Sequence, residues 1–156
     1  VFFVCAYIYS YPSFSQKSEV SIVNDNTTTT TSKPTIIGSP KIFTGAVFID
    51  PIFSSQNNRE YEMAKVTFLP GSHSNWHSHP GGSTMYITDG LGWTQIEGQP
   101  KKILHVGDVV WTPPGVRHWH GATDKNAMTH IVINGLKNNS VVIWNEPVTS
   151  QEYLGK

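Results

Sequence analysis

The punctuation of this chain constrains its fold more than any other feature. From Ile36 onward the apolar runs are short, and each is bounded by Gly, Pro, Asn or Asp. Leu69-Pro70-Gly71, Pro80-Gly81-Gly82, Asp89-Gly90, Gly98-Gln99-Pro100, Gly107-Asp108 and Pro113-Pro114-Gly115 all favour tight reversals. Gly reaches positive φ at no steric cost, and Pro presets φ while removing a ladder donor. A chain reversed so often leaves no room for a long helix, and its apolar runs are spaced like the consecutive strands of a sandwich or barrel. Candidate strands fall at 46–49, 62–69, 74–77, 85–89, 92–97, 101–106, 109–112, 118–122, 127–134 and 141–144. The tail 150–156, after Pro147-Val148-Thr149, is the one segment with a helix start signal. The expected class is all-β, with one domain over 36–156, as 156 residues suggest.

The preceding 1–35 differ in texture. Residues 1–9, VFFVCAYIY, fit half of a signal-peptide core or anchor, since nine residues alone cannot cross a bilayer that takes about 20. Export to the periplasm or beyond is one expectation, and a cytoplasmic location the other. The Ser/Thr-rich stretch to residue 35, with the tract Thr27 to Thr31, reads as a linker. Charged residues make up 14% of the chain, against a usual figure of about 25%, and eleven Lys plus Arg balance eleven Asp plus Glu. No phosphate-neutralising face can be assembled from these, so no nucleic-acid partner and no stable membrane association of the domain are expected. Cys5 is the only cysteine, which excludes an intrachain disulfide and a cysteine zinc site. Any metal must be held by nitrogen and oxygen.

Histidine is therefore the residue to follow, and all seven lie between His73 and His130. His77-Ser78-His79 puts two imidazoles at i and i+2, on one face of an extended strand. His118 offers a third where the chain re-enters the sheet after Pro113-Pro114-Gly115. Three neutral nitrogens from two strands would leave coordination positions open for substrate or water. His120 shares the face of His118, and His130 sits in a neighbouring candidate strand with Met128 and Val132 on its side. With an ordinary pKa near 6.5, either can move a proton at neutral pH. Ala64, Val66 and Phe68 alternate in one strand and, with Met128 and Val132, are expected to line an apolar pocket suited to a small uncharged substrate. His73 and His105 lie beside turns and are expected at the surface. Trp76, Trp111 and Trp119 read as packing. Arg117 is a weak candidate for an anion contact, and Asp108 a turn former.

The offsets form a frame: Gly71, five residues, His77, one, His79, three, Ser83, six, Gly90; then Gly107, five, Pro113, one, Gly115, two, His118. This resembles the two signature motifs of the cupin superfamily. The wider string resembles the small single-domain cupins associated with carboxymuconolactone decarboxylases, which include manganese-dependent hydroxynitrile lyases. It runs through Phe43-Thr44-Gly45, Ile49-Asp50-Pro51, Gly92-Trp93, Trp111, His118-Trp119-His120 and Met128-Thr129-His130. The resemblance implies a conical β-barrel, or jelly roll, holding a divalent ion on His77, His79 and His118, manganese first and iron second. It also implies His130 as the catalytic base with His120 beside it, and cleavage or synthesis of a cyanohydrin. Where the family has a Glu or Gln ligand this chain has Ser83, a poor ligand that leaves the position to water or weakens the site. A three-histidine iron(II) dioxygenase and a non-enzymatic metal- or ligand-binding cupin are the alternatives. The family further implies a homodimer or homotetramer through strand pairing, with 43–53 at the interface.

Overall fold

The computed structural model describes residues 33–55 and 59–155. The apolar start, Cys5 and the threonine tract lie outside the described residues. The strands are β1 (Ile36–Ile37), β2 (Phe43–Thr44), β3 (Val47–Phe53), β4 (Tyr61–Phe68), β5 (His73–Ser74), β6 (His77–Ser78), β7 (Ser83–Ile96), β8 (Lys102–His105), β9 (Val109–Thr112), β10 (His118–Ala122), β11 (Met128–Gly135) and β12 (Ile143–Trp144), followed by one short helix, α1 (Ser150–Leu154). Every pairing is antiparallel. One sheet runs β1-β3-β4-β11-β7-β9. The other is built on β10, with β7 on one side and β5 and β6 end to end on the other; β2, β12 and β8 extend it. The architecture is the expected all-β barrel of a single domain.

β7 belongs to both sheets. Its first half pairs with β11 and β9, and its second half with β10 and β8. A reversal at Asp89-Gly90 was the expectation; instead the strand continues through, turning the corner between the sheets. The side-chain phase records the turn. Buried positions are odd up to Ile87 and even from Gly92, and a period of two can change phase only by absorbing an extra residue. That residue is Thr88, which falls in the register slip between His130↔Ile87 and Thr129↔Asp89. Its hydroxyl donates to the Thr129 carbonyl at 3.2 Å. Gly90 has φ 77°, and a Cβ there would collide with the carbonyl of Ala127. A turn signal in sequence is here a corner signal.

The expected strand 74–77 is also divided. Asn75 donates its backbone N–H to Ile42 and its side-chain amide to the carbonyls of Lys41 and Asn145, while Trp76 pairs with Glu146 and Asn145. The edge partner therefore changes from β2 to β12 between His73–Ser74 and His77–Ser78.

The main core lies between the sheets and includes Phe43, Val47, Val66, Phe68, Met85, Ile87, Leu104, Ala122, Met128 and Val132. A second cluster joins Trp76, Trp119 and Val148 to Tyr153 of α1. Thr149 caps this helix reciprocally with Glu152, fixing a single turn that propensity alone would not sustain. Tyr153 stacks on His73 at 4.1 Å, and its hydroxyl donates to the Ala122 carbonyl at 2.9 Å. His73 is consequently 4% exposed rather than at the surface. It faces Gly121 across the β5–β10 pair, where no side chain competes for the space. His105 is exposed as expected, and Asp108 accepts its backbone N–H at 2.8 Å, closing the turn. Trp76 and Trp119 are buried, whereas Trp111 is 56% exposed and lies over Gly82. Arg117 has no free charge for an anion, because Glu97 and Glu146 both hold its guanidinium.

If α1 closes the second cluster, Tyr153→Phe should cost about 1 kcal/mol through the lost buried hydrogen bond. Tyr153→Ala should cost about 3–5 kcal/mol through the cavity left over His73. Denaturant unfolding of both variants measures this: a Tyr153→Phe variant as stable as wild type would show that the hydroxyl contributes nothing, and equal losses in the two variants would show that the ring contributes nothing.

Candidate metal centre

Two strand pairings and two turns bring the three imidazoles together. His77 and His118 are direct partners across β6 and β10, their rings 4.2 Å apart. His79 follows two residues after His77, just beyond β6. Its main-chain carbonyl accepts from Gly82 N–H at 3.1 Å and from Gly115 N–H at 3.0 Å. The Pro80-Gly81-Gly82 turn and the Pro113-Pro114-Gly115 turn are thereby tied to one atom, which is why each motif needs its turn at a fixed distance from its histidine. One ring nitrogen from each of His77, His79 and His118 lies within 4.8 Å of the other two.

The other nitrogen of each ring is held by backbone. Nδ1 of His77 contacts the Asn75 carbonyl at 2.9 Å, that of His79 the Val141 carbonyl at 2.6 Å, and that of His118 the Val116 carbonyl at 3.2 Å. A carbonyl accepts and never donates, so Nδ1 carries the hydrogen in all three and Nε2 is left with its lone pair. Such a carbonyl fixes the tautomer and direction of a metal-binding imidazole. His79 Nε2 is buried with no partner in the protein. The donor set therefore fits a divalent transition metal.

The cluster opens on a cavity of about 130 Å³. Its floor and sides take His77, His79 and His120 from around the cluster and His130 from β11. Ala64, Val66 and Phe68 line it from β4 and Val132 from β11, as their alternation predicted. Met128 does not line it: the residue is fully buried in the core, its sulfur packed against Gly92. The cavity ends one step earlier, at Phe68, whose ring stacks on His130 at 5.8 Å. Phe43, Ile49, Val142 and Trp144 complete the apolar wall. Two polar wall residues, Glu62 and Asn134, extend the alternations 62-64-66-68 and 128-130-132-134, and the same period of two that picks out Ala64 and Val132 would have found them. Ser83 is buried on β7, between Asn134 and Thr112 in the cross-strand register, and is not part of the cavity wall.

Burial dominates the electrostatics. It holds His79 below the ordinary imidazole range, His77 and His120 well below it, and His118 and His130 at about 4. Neighbouring imidazoles add to the effect at His77, His118 and His120, since each disfavours a second positive charge. His130 is 1% exposed, and neither of its ring nitrogens has a hydrogen-bond partner. His120 sits between, 5.2 Å from His77 and 5.1 Å from His130.

The Cupin domain family matches residues 64–134. A Granulicella tundricola protein named (R)-mandelonitrile lyase is 46% identical over 111 residues, which is 71% of this chain and 85% of that protein. A cupin-like protein from Thermotoga maritima is 38% identical, with a TM-score of 0.74, over 76% of this chain and 90% of its own. A second Thermotoga maritima structure, a predicted oxalate decarboxylase, is 22% identical with a TM-score of 0.60, covers 66% of this chain and 92% of its own, and shares the fold.

Two measurements test the centre. Elemental analysis should find about one divalent metal ion per chain, lost in His77→Ala; metal retained in that variant would place the ion elsewhere. In the metal-free protein His118 and His130 stay neutral down to about pH 4, with His77, His79 and His120 also held below the ordinary imidazole range, whereas in the unfolded chain they take up protons below about 6.5. Stability should therefore be full above that pH and fall continuously toward pH 4. Thermal melts across this range, flat with pH, would contradict the burial.

Proposed function

The chain belongs to the cupin family, and on that premise we propose that it is a metal-dependent lyase, splitting a small cyanohydrin into an aldehyde and hydrogen cyanide and joining them in reverse. The observation that carries this reading is His130, a buried imidazole in the wall of an apolar cavity with both ring nitrogens unpartnered. Buried polar groups are normally satisfied, and one left free on both sides in a cavity wall is placed to receive a hydrogen from something in the cavity. The name of the Granulicella tundricola relative supports the reaction class.

A divalent ion on His77, His79 and His118, manganese first and iron second, would supply Lewis acidity that lowers the pKa of a substrate hydroxyl. The rest falls to the protein. Burial holds the pKa of His130 at about 4, so at neutral pH it is always the free base. It is also a weak one, matched to a hydroxyl that has already been made acidic. His130 takes the hydroxyl hydrogen at a ring nitrogen as the carbonyl forms. The electron pair of the carbon–carbon bond leaves with cyanide, and His130 returns the proton to it, so atoms and charge balance without an oxidant. Phe68 stacked on one side and His120 edge-on at 5.1 Å hold the ring in place. Ala64, Val66 and Val132 keep water from the reacting carbon and accept the organic side of a small neutral substrate.

His130→Ala should lower kcat for mandelonitrile cleavage by about 10²–10⁴ while metal content is unchanged, and wild-type cleavage should run equally fast without oxygen. Loss of the metal in that variant would make His130 structural, and a requirement for oxygen would replace the lyase with an oxygenase.

A further inference from the structure

The inward face of the first sheet is layered by cross-strand register. Phe68 faces Met128, Val66 faces His130, and Ala64 faces Val132, which in turn faces Met85. The next row is entirely polar: Glu62 on β4, Asn134 on β11, Ser83 on β7 and Thr112 on β9 are successive partners. Asn134, Ser83 and Thr112 are each buried. Two of the four, Glu62 and Asn134, line the same cavity as the histidines, separated from His130 along that wall by the row of Ala64 and Val132.

Their hydrogen-bond inventory is one-sided. Asn134 Nδ2 donates to Glu62 Oε1 at 3.4 Å. A carboxylate accepts and does not donate, so the amide is oriented with its NH₂ toward Glu62 and its oxygen away. That oxygen, Asn134 Oδ1, is buried and has no partner, and the residue is 8% exposed. An acceptor deprived of both water and protein costs stability. What this corner leaves wholly without a partner is therefore an acceptor: the amide oxygen of Asn134, with the Glu62 carboxylate beside it.

We propose that Glu62 and Asn134 form a second polar subsite, which selects substrates carrying a hydrogen-bond donor, a hydroxyl or an ammonium group, apart from the reacting carbon. The inference rests on the lyase reading for the place of that carbon, and adds that the natural substrate is bifunctional. Anionic substrates are disfavoured by the same carboxylate, and purely hydrocarbon ones leave Asn134 Oδ1 unpaired.

The test is equilibrium binding of 4-hydroxybenzaldehyde and its size-matched analogue 4-methylbenzaldehyde to metal-loaded wild type, Glu62→Gln and Asn134→Leu. The ratio of the two Kd values within each protein is the readout. Wild type should favour the hydroxyl compound by about tenfold or more, the usual weight of a hydrogen bond to a charged or buried acceptor. In Asn134→Leu the ratio should collapse toward one, and in Glu62→Gln it should fall by about threefold or more, one acceptor of the pair having lost its charge. Equal affinities in wild type, or a preference that survives both substitutions, would overturn the subsite. Cyanohydrin turnover on the same compounds separates the two claims: a binding preference without any turnover defeats the lyase and keeps the subsite, while turnover without a preference does the reverse.

Discussion

The site depends on one strand belonging to two sheets. β7 carries Met85 and Ile87 into one sheet and Gly92 and Thr94 into the other, and it does so by absorbing Thr88 as a bulge and passing Gly90 at positive φ. Without that corner the sheets would lie side by side, and the wall carrying His130 would not face the strands carrying His77 and His118. The corner is steric as well as conformational. Gly92 lies under the Met128 sulfur and against the Gly121 carbonyl, so the approach of β11 and β10 at this point requires residues without a Cβ. Barrel closure and site assembly are one event in this fold.

Closure then sets the chemistry. Five imidazoles, His77, His79, His118, His120 and His130, are drawn together, and among the described residues the three-histidine cluster includes no carboxylate. Burial, joined at His77, His118 and His120 by repulsion from neighbouring imidazoles, keeps all five neutral, which is the protonation state a metal ligand and a general base both need. The arrangement has an energetic consequence for the metal-free protein: five groups that would prefer water or charge are held without either. Backbone carbonyls relieve three of them at Nδ1. A dication would relieve the same three at Nε2 with no carboxylate among its ligands from the cluster, so its grip there would rest on imidazole.

Much of this was legible in the sequence, for identifiable reasons. Turn residues and period-two alternation located most of the longer strands, and β9 and β10 to the residue, because local chemistry decides both, whereas the two-residue β1 and β2 carried no such signal. The His77-Ser78-His79 pair and His118 were legible because their turns fix their direction. Tertiary partners decided what was missed. Asp89-Gly90 has the composition of a hairpin, and only the neighbouring backbone of Ala127 makes it a corner. His73 stands beside a turn, and only the arrival of Tyr153 from the far end of the chain buries it. Met128 shares the parity of His130, but Phe68 closes the cavity before reaching it. Glu62 was overlooked for the opposite reason: its charge suggests solvent, whereas its parity with Ala64 and Val66 points inward.

The position of Ser83 connects the metal centre to the cavity's polar row. In the cupin frame this offset falls to a residue that can reach the ion, yet here a short hydroxyl is packed between Thr112 and Asn134 and does not enter the cavity wall. The longer groups next in the row, Asn134 and then Glu62, are the ones that meet the cavity. The polar groups of this cross-strand row that reach the cavity therefore stand on β11 and β4, the two strands that follow β7 in the sheet. A metal ion on the three histidines would keep an open position, and Asn134 and Glu62 would offer acceptors that a hydrocarbon substrate could not use. On the proposed reading both features meet in one row: Ser83 would leave the metal to imidazole and water, and Asn134 with Glu62 would supply the acceptors that discriminate among substrates.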